Sequence, residues 1–192
     1  MTSDNEQKEI IITAAARLFA RFGLEKTTMD DIAKASKKKK SSLYYYFTNK
    51  EEVFAEVIGR EILGLKNTII EAVEKEDDPC SKFKNLLQAR LKYLQEKADQ
   101  YTTIKDDYLT HYKFINTLTA AYSNWKISMI RQILKEGQEK HVFEVSDLDT
   151  TARSLFFALK TLEYPWTIDL PREEVEKSIE LLINILLKGI SR

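Results

Sequence analysis

The sequence predicts an all-α protein, and three observations support that prediction. Apolar residues recur at intervals of three and four along most of the 192-residue chain, which is the spacing of a helix face. No stretch sustains the alternation of apolar and polar residues that a half-buried strand requires. The chain also contains only 5 Gly and 3 Pro, too few breakers for a β-rich or disordered protein.

The first fifty residues predict one long helix and two short ones. The apolar stripe of the long helix consists of Ile11, Ala15, Leu18 and Phe22. Gly23 follows this stripe, and a glycine is the residue that most often ends a helix. Thr27 and Thr28, with Asp30 and Asp31 three residues later, predict the start of a second helix, because a threonine cap is often paired with an acid three residues later. A turn around residues 36–38 then leads into a short third helix that ends at Phe47.

Six further helices are predicted by stripes of the same period. They cover residues 50–75, 83–98, 101–108, 115–137 (ending near Gly137), 152–162 and 171–190. We therefore expect two domains: residues 1–49 as a helix-turn-helix domain, and residues 50–192 as a second helical domain. The helix at residues 50–75 is expected to link the two.

The composition narrows the functional class. The 30 basic and 30 acidic residues give no net charge, but lysines outnumber acids between residues 25 and 50, so one local region is basic. Cys80 is the only cysteine, which excludes an intrachain disulfide, and the polar N-terminus does not resemble a signal peptide. We expect a cytoplasmic protein. No catalytic motif or metal-ligand spacing is present, so we expect neither an enzyme nor a cofactor.

Lysines and tyrosines lie side by side at residues 34–47, KASKKKKSSLYYYF. Leu43 and Phe47 are four residues apart and fall on one helix face, so we expect them to pack on Ile32, Leu18 and Phe22. The remaining side chains of this helix then point outward. Lysine, serine and tyrosine are residues that contact DNA phosphates, and the second helix of a helix-turn-helix pair enters the major groove.

Residues 8–54 resemble the DNA-binding domain of the TetR/AcrR family of bacterial repressors. The matching features are the Ala-Ala-x-x-Leu-Phe run at 14–19, Phe22-Gly23, Thr27-Thr28, the run at 31–33, the Leu43–Phe47 run, Lys50-Glu51-Glu52 and Phe54. The resemblance implies DNA contacts from Thr28, Lys39, Lys40, Ser41, Ser42, Tyr44, Tyr45, Tyr46 and Lys50. The sequence departs from the family at the turn, where Lys37-Lys38-Lys39 replaces a common Gly-Val-Ser. Without glycine, the positive-φ position of the turn is more costly.

The resemblance also implies an effector pocket and a homodimer in the second domain. The candidate pocket residues are Tyr108, His111, Tyr112, Tyr122 and Trp125, although an aromatic stripe can also be plain core. The candidate dimer residues are Phe156, Leu159, Ile179, Leu182, Ile183 and Leu186, because helices that are apolar on more than one face must bury both faces.

The function expected from these residues is a ligand-responsive, dimeric transcriptional regulator that represses from a palindromic operator. The effector is an unknown small molecule. The alternative is an all-α interaction module whose basic patch meets an acidic protein or a membrane surface.

Overall fold

The structure, a computed structural model, describes residues 4–98, 112–161 and 171–190. Its regular elements are the helices α1 (Asp4–Lys26), α2 (Met29–Ser36), α3 (Lys40–Tyr46), α4 (Lys50–Glu74), α5 (Pro79–Ala98), α6 (Tyr112–Glu139), α7 (Leu148–Thr161) and α8 (Arg172–Ile190). The predicted all-α class is confirmed. The helix expected at residues 101–108 lies outside the described residues.

Contacts divide the chain into two compact units. The first comprises Met1–Gly64 with Glu96–Thr119, and the second comprises Leu65–Gln95 with Ala120–Arg192. Helix α4 therefore contributes to both units. The expected domain division at residue 49 remains a prediction about how the chain folds.

The core of the first unit is built by α1 to α4. Its buried side chains are Ile11, Ile12, Ala15, Phe19, Leu24, Met29, Ile32, Ala33, Leu43, Phe47, Val53, Phe54 and Val57. The stripe predicted for α1 was wrong at its end, because Phe22 is 42% exposed and Phe19 is buried instead. The ring of Phe19 packs edge-on against Phe54, with 5.2 Å between centroids. The buried face of α1 is thus rotated by about one residue relative to the predicted stripe.

Gly23 interrupts α1 with φ 78° and ψ 172°, a conformation that only glycine adopts readily. The predicted break at Gly23 is confirmed. The Thr27 hydroxyl donates to the Gly23 carbonyl at 2.7 Å, which provides a partner for one backbone group exposed by the break.

In the second unit, α6 continues through Gly137 to Glu139. The sequence predicted an end near Gly137, and the helix ends two residues beyond it. A Cβ at Gly137 would lie only 2.0 Å from Cδ2 of Phe143, so the glycine provides space for that buried ring. Lys82 of α5 donates to both carboxylate oxygens of Glu136 at 2.7 and 2.8 Å, which joins α5 to the last turns of α6.

Candidate nucleic-acid interface

A reciprocal capping box begins α2. The Asp31 amide donates to the Thr28 hydroxyl oxygen at 3.2 Å, and the Thr28 amide donates to the Asp31 carboxylate at 3.1 Å. The hydrogen bond from the Thr28 side chain lowers the pKa of Asp31 below its ordinary value. The predicted helix start is therefore confirmed, and the Thr28 hydroxyl is engaged within the helix terminus.

The turn between α2 and α3 contains a left-handed lysine. Lys37 has φ 55° and ψ 35°, and its amide donates to the Lys34 carbonyl at 3.1 Å. The Lys38 amide donates to the Ala33 carbonyl at 3.0 Å, which closes the end of α2. The chain thus makes a positive-φ turn here without the glycine that usually permits it. A non-glycine residue in this region carries strain of about 1–2 kcal/mol.

Helix α3 has the orientation that the sequence predicted. Leu43 is fully buried and Phe47 is nearly so, whereas Tyr44 is 48% and Tyr45 is 74% exposed. Lys39 precedes the helix as its N-terminal cap, and its side chain, like those of Lys40 and Ser41, is exposed. Ser42 and Tyr46 are half-buried. A short helix anchored by two apolar side chains therefore presents lysine, serine and tyrosine outward.

Lys40 and Lys50, two of the predicted DNA contacts, have different kinds of partner within the chain. Lys40 Nζ lies 2.7 Å from Oδ1 of Asp30, and both side chains are more than half exposed. Lys50 Nζ instead donates to the carbonyl oxygens of Leu24 at 2.8 Å and Glu25 at 3.1 Å. Lys50 thereby ties the start of α4 to the end of α1, so it has a structural role that the family resemblance did not imply.

The N-terminal turns of α1 contact the end of α3. The Tyr46 hydroxyl donates to Oδ1 of Asp4 at 2.5 Å, which raises the pKa of Tyr46 to about 12. Lys8 lies 5.4 Å from the centre of the Phe47 ring and 2.7 Å from Glu56 of α4. These contacts hold α3 between α1 and α4.

Sequence reasoning missed Asp4 and Asp30 as neighbours of the candidate DNA contacts. Asp4 lies 42 residues from Tyr46 in the sequence. No periodicity or capping pattern links residues this far apart, so the sequence carries no signal for these pairs. They become visible only when α1, α2 and α3 have packed.

The candidate effector residues are only partly described. Tyr108 and His111 lie outside the described residues, as does the side chain of Tyr112. The rings of Tyr122 and Trp125 stack, with centroids 5.6 Å apart. Arg90 Nη1 donates to the Tyr122 hydroxyl at 2.5 Å, and Lys66 Nζ lies 5.1 Å from the centre of the Trp125 ring.

A fully buried lysine lies one residue beyond Trp125. Lys126 Nζ is 5.4 Å from the centre of the Phe156 ring. The sequence carried a signal for this burial, because position 126 is four residues after Tyr122 and four before the buried Ile130. A stripe of apolar residues alone does not include this lysine.

The structure corrects the predicted dimer residues. Phe156, Leu159 and Ile183 are almost completely buried within the chain, so they form core rather than an open dimer surface. Leu182 and Leu186 are half-buried, and the side chain of Ile179 is not among those described. The exposed large apolar side chains of α7 and α8 are instead Phe157 (61%), Leu181 (62%) and Ile185 (58%). The error was one of helix rotation, because both faces of these helices are apolar.

The described ranges contain neither a membrane-spanning helix nor a cluster of metal ligands. No described helix is long and apolar enough to cross a membrane. No group of three or more His, Cys, Asp and Glu side chains within those ranges is arranged to hold a metal ion.

A three-helix unit with a tight turn before an exposed, basic and aromatic third helix defines a helix-turn-helix DNA-binding domain. Residues 11–57 match the family model described as bacterial regulatory proteins of the tetR family. The predicted resemblance to the TetR family is confirmed for these residues.

Similarity to known proteins extends beyond this domain. The chain is 27% identical over 192 residues to YhgD of Bacillus subtilis, an uncharacterized HTH-type transcriptional regulator, with 97% of each chain covered. A transcriptional regulator from Cytophaga hutchinsonii superposes with a TM-score of 0.77 at 24% identity, covering 96% of this chain and 98% of that one. A TetR transcription regulator from Haloarcula marismortui gives 0.79 at 17% identity, covering 98% and 100%. These structures share the fold, and the comparisons indicate a regulator rather than an enzyme.

Proposed function

We propose that this protein is a homodimeric, ligand-responsive repressor that binds a palindromic operator in the cytoplasm. The observation that carries the proposal is the division of α3 into a buried face and an exposed face. Leu43 and Phe47 fix the helix, while Lys40, Tyr44 and Tyr45 point away from the core. A rigidly anchored helix with exposed lysine and tyrosine is suited to the major groove.

The residues on this surface have different proposed roles. Lys39 and Lys40 neutralise phosphates, and the Tyr44 and Tyr46 hydroxyls donate to phosphate oxygens. Ser41, Ser42 and Tyr45 approach base edges. Thr28 and Lys50 approach phosphates from their helix termini, but both side chains already have partners within the chain. We therefore expect these two to contribute less to DNA affinity than Lys39.

The DNA-binding proposal is tested by fluorescence anisotropy with an operator selected from a pool of random duplexes. A protein that neutralises a phosphate releases a counterion, so removing Lys39 should reduce the slope of log Kd against log salt by about 0.9. Lys39→Ala is compared with Lys75→Ala, which removes an exposed lysine of the second unit. Equal slopes for both variants would place Lys39 outside the interface.

The dimer proposal is supported by the apolar side chains left exposed on α7 and α8. Leu181 and Ile185 are four residues apart on one face of α8, and Phe157 is the exposed aromatic of α7. A symmetric operator requires a two-fold dimer, whose recognition helices must lie about 34–36 Å apart. A second copy of the chain is the partner that such symmetry calls for.

Sedimentation of Leu181→Glu tests this dimer surface. The substitution introduces a charge onto a side chain that is exposed in the protomer, so we expect a folded monomer. Lys75→Glu places a glutamate at an exposed position outside α7 and α8 and should remain dimeric. An intact Leu181→Glu dimer would contradict the proposed surface.

The effector proposal rests on the stacked Tyr122 and Trp125 rings of the second unit. Lys66 lies over the Trp125 ring and Arg90 over the Tyr122 ring, and Lys126, the next residue after Trp125, lies over Phe156. Aromatic rings surrounded by cations favour a ligand that combines an apolar body with an anionic group. We therefore propose an anionic amphiphile as the effector, bound next to Trp125.

Thermal unfolding with octanoate and with octyltrimethylammonium tests the sign of the effector charge. We expect octanoate to raise the melting temperature and the cation of equal chain length to leave it unchanged. Greater stabilisation by the cation would contradict the proposal. Trp125→Ala should retain operator affinity but require more ligand to release DNA, and an unchanged requirement would mean that the ring is only core.

A further inference from the structure

Two of the proposed phosphate contacts are held by carboxylates of the same unit. Lys40 Nζ pairs with Asp30 of the first turn of α2 at 2.7 Å. The Tyr46 hydroxyl donates to Asp4 of the first turn of α1 at 2.5 Å. Both acids thus precede the recognition helix in sequence and meet it only in the folded unit.

A carboxylate and a DNA phosphate are similar hydrogen-bond acceptors for these two donors. Each group presents anionic oxygens that accept charge-assisted hydrogen bonds from an ammonium or a hydroxyl. The two anions also repel each other, and a charge pair at about 4 Å interacts more strongly near a protein surface than in bulk water. A phosphate that approaches Lys40 must therefore displace Asp30 or be brought close to its negative charge.

We propose that Asp30 and Asp4 act as intramolecular surrogates for DNA phosphates: they occupy Lys40 and Tyr46 in the free protein and lower its affinity for any DNA backbone. This inference rests on the proposed DNA-binding function. Non-specific binding depends almost entirely on phosphate contacts. The surrogates therefore lower the affinity of the protein for non-operator DNA, while base contacts from α3 remain available at the operator.

The state of the two donors agrees with this role. The hydrogen bond that Lys40 donates to Asp30 raises the pKa of Lys40, so the pair favours the ammonium form. The hydrogen bond to Asp4 keeps Tyr46 a neutral phenol, which can donate to one acceptor at a time. DNA binding consequently exchanges one anionic acceptor for another, instead of adding a contact to an unoccupied donor.

The exchange has a measurable consequence for salt dependence. A lysine that neutralises a phosphate releases nearly one counterion, which contributes about 0.9 to the slope of log Kd against log salt. When Lys40 leaves Asp30, the exposed carboxylate attracts a cation and cancels part of that release. Removing the carboxylate should therefore both tighten DNA binding and steepen its salt dependence.

A double-mutant cycle between Asp30 and Lys40 tests the surrogate directly. Wild type, Asp30→Asn, Lys40→Ala and the double variant are titrated against a labelled random-sequence duplex between about 50 and 200 mM salt. Asp30→Asn should bind roughly twofold to fivefold tighter, the range expected for one exposed ion pair. Lys40→Ala should weaken binding more in the Asp30→Asn background than in wild type, where the surrogate already occupies the lysine.

Glu51→Gln is the matched control, because it removes the same charge from an exposed acid in the first turn of α4. We expect it to change binding less than Asp30→Asn. Equal tightening by both variants would reduce the effect to net charge and overturn the surrogate role. Circular dichroism should show all variants folded, since Asp30 is exposed and the capping box of α2 uses Asp31.

The cycle separates failure of the surrogate from failure of the proposed interface. If Lys40→Ala weakens binding equally in both backgrounds, Lys40 contacts DNA but Asp30 does not compete for it. If Lys40→Ala has no effect in either background, Lys40 lies outside the interface and both proposals fail at this residue. The corresponding cycle of Asp4→Asn and Tyr46→Phe tests the second pair with the same duplex.

Discussion

The helix-turn-helix of the first unit and the region around Gly137 in the second unit are held by different kinds of contact. In the first, local backbone chemistry sets the geometry: Thr28 caps α2 through Asp31, and Lys37 turns the chain with a positive φ. In the second, contacts between separated residues do so: Gly137 provides space for Phe143, and Glu136 binds Lys82 from α5. Local chemistry leaves a signature in consecutive residues, whereas a fit between distant residues does not.

The largest loss of stability should come from Leu43, which packs in the core of the first unit with residues distant in the sequence. Leu43→Ala deletes a fully buried side chain beneath the recognition helix and should destabilise the protein by about 2–5 kcal/mol. Urea unfolding followed by circular dichroism measures the change. Tyr44→Phe is the control, because it removes only the hydroxyl from an exposed ring and should affect DNA binding more than stability. If Tyr44→Phe proves the more destabilising, the helix is rotated relative to the structure.

Gly137→Ala tests the packing that characterises the second unit. The added Cβ would overlap the buried Phe143 ring, so we expect a loss of about 1–3 kcal/mol from overpacking. Gly59→Ala is the matched control in the interior of α4, where no atom lies within 4 Å of the added carbon. That variant should gain about 1 kcal/mol from higher helix propensity. Similar effects of both substitutions on urea unfolding would contradict the packing account.

The contrast explains which features could be predicted from the sequence. The capping box, the break at Gly23 and the inward face of α3 follow from residues within one or two turns of each other, and the structure agrees with them. The exposed position of Phe22 and the burial of Phe156 depend on helix rotation against partners elsewhere in the chain. Apolar residues on two faces leave that rotation undetermined, so periodicity alone could not distinguish core from a dimer surface.

The candidate DNA-binding surface likewise has features that could be predicted from the sequence and features that could not. Exposed lysine and tyrosine on α3 could be predicted, because the buried spacing of Leu43 and Phe47 fixes the other face. The pairing of Lys40 with Asp30, and the use of Lys50 to bind carbonyls at the end of α1, could not. These contacts require the packed arrangement of helices that have no common sequence pattern.

A smaller change should result from relaxing the turn of the first unit. Lys37→Gly relieves left-handed strain of about 1–2 kcal/mol, but it loses about 0.4–1 kcal/mol through the greater freedom of the unfolded chain. We expect a net gain between about 0 and about 1.6 kcal/mol in urea unfolding, by the same two effects. Lys34→Gly removes an equal charge from the helical part of α2 and should destabilise instead. A loss of stability in both variants would mean that the turn is not strained.

The smallest effect concerns the pH dependence of the Glu136 contact in the second unit. Hydrogen bonds from Lys140 and then Lys82 lower the pKa of Glu136 below its ordinary value of 4.5. A carboxyl with a depressed folded-state pKa stabilises the protein above the unfolded-state pKa, and this contribution disappears as the pH falls through the folded-state value. The stability difference between wild type and Glu136→Gln should therefore be constant above about pH 5.5 and should shrink below about pH 4.5.

Urea unfolding monitored by tryptophan fluorescence at successive pH values measures this difference. Lys82→Met supplies the control, since it removes one of the two cationic donors and leaves Lys140. In that background the folded-state pKa of Glu136 is less depressed, so the difference should begin to shrink at the same pH, shrink by less in total and finish shrinking at a higher pH than in wild type. A difference that stays constant down to about pH 3 would show that the Glu136 contact makes no ionisation-linked contribution to stability. The long-range contact would then fix the position of α5 against α6 through geometry alone.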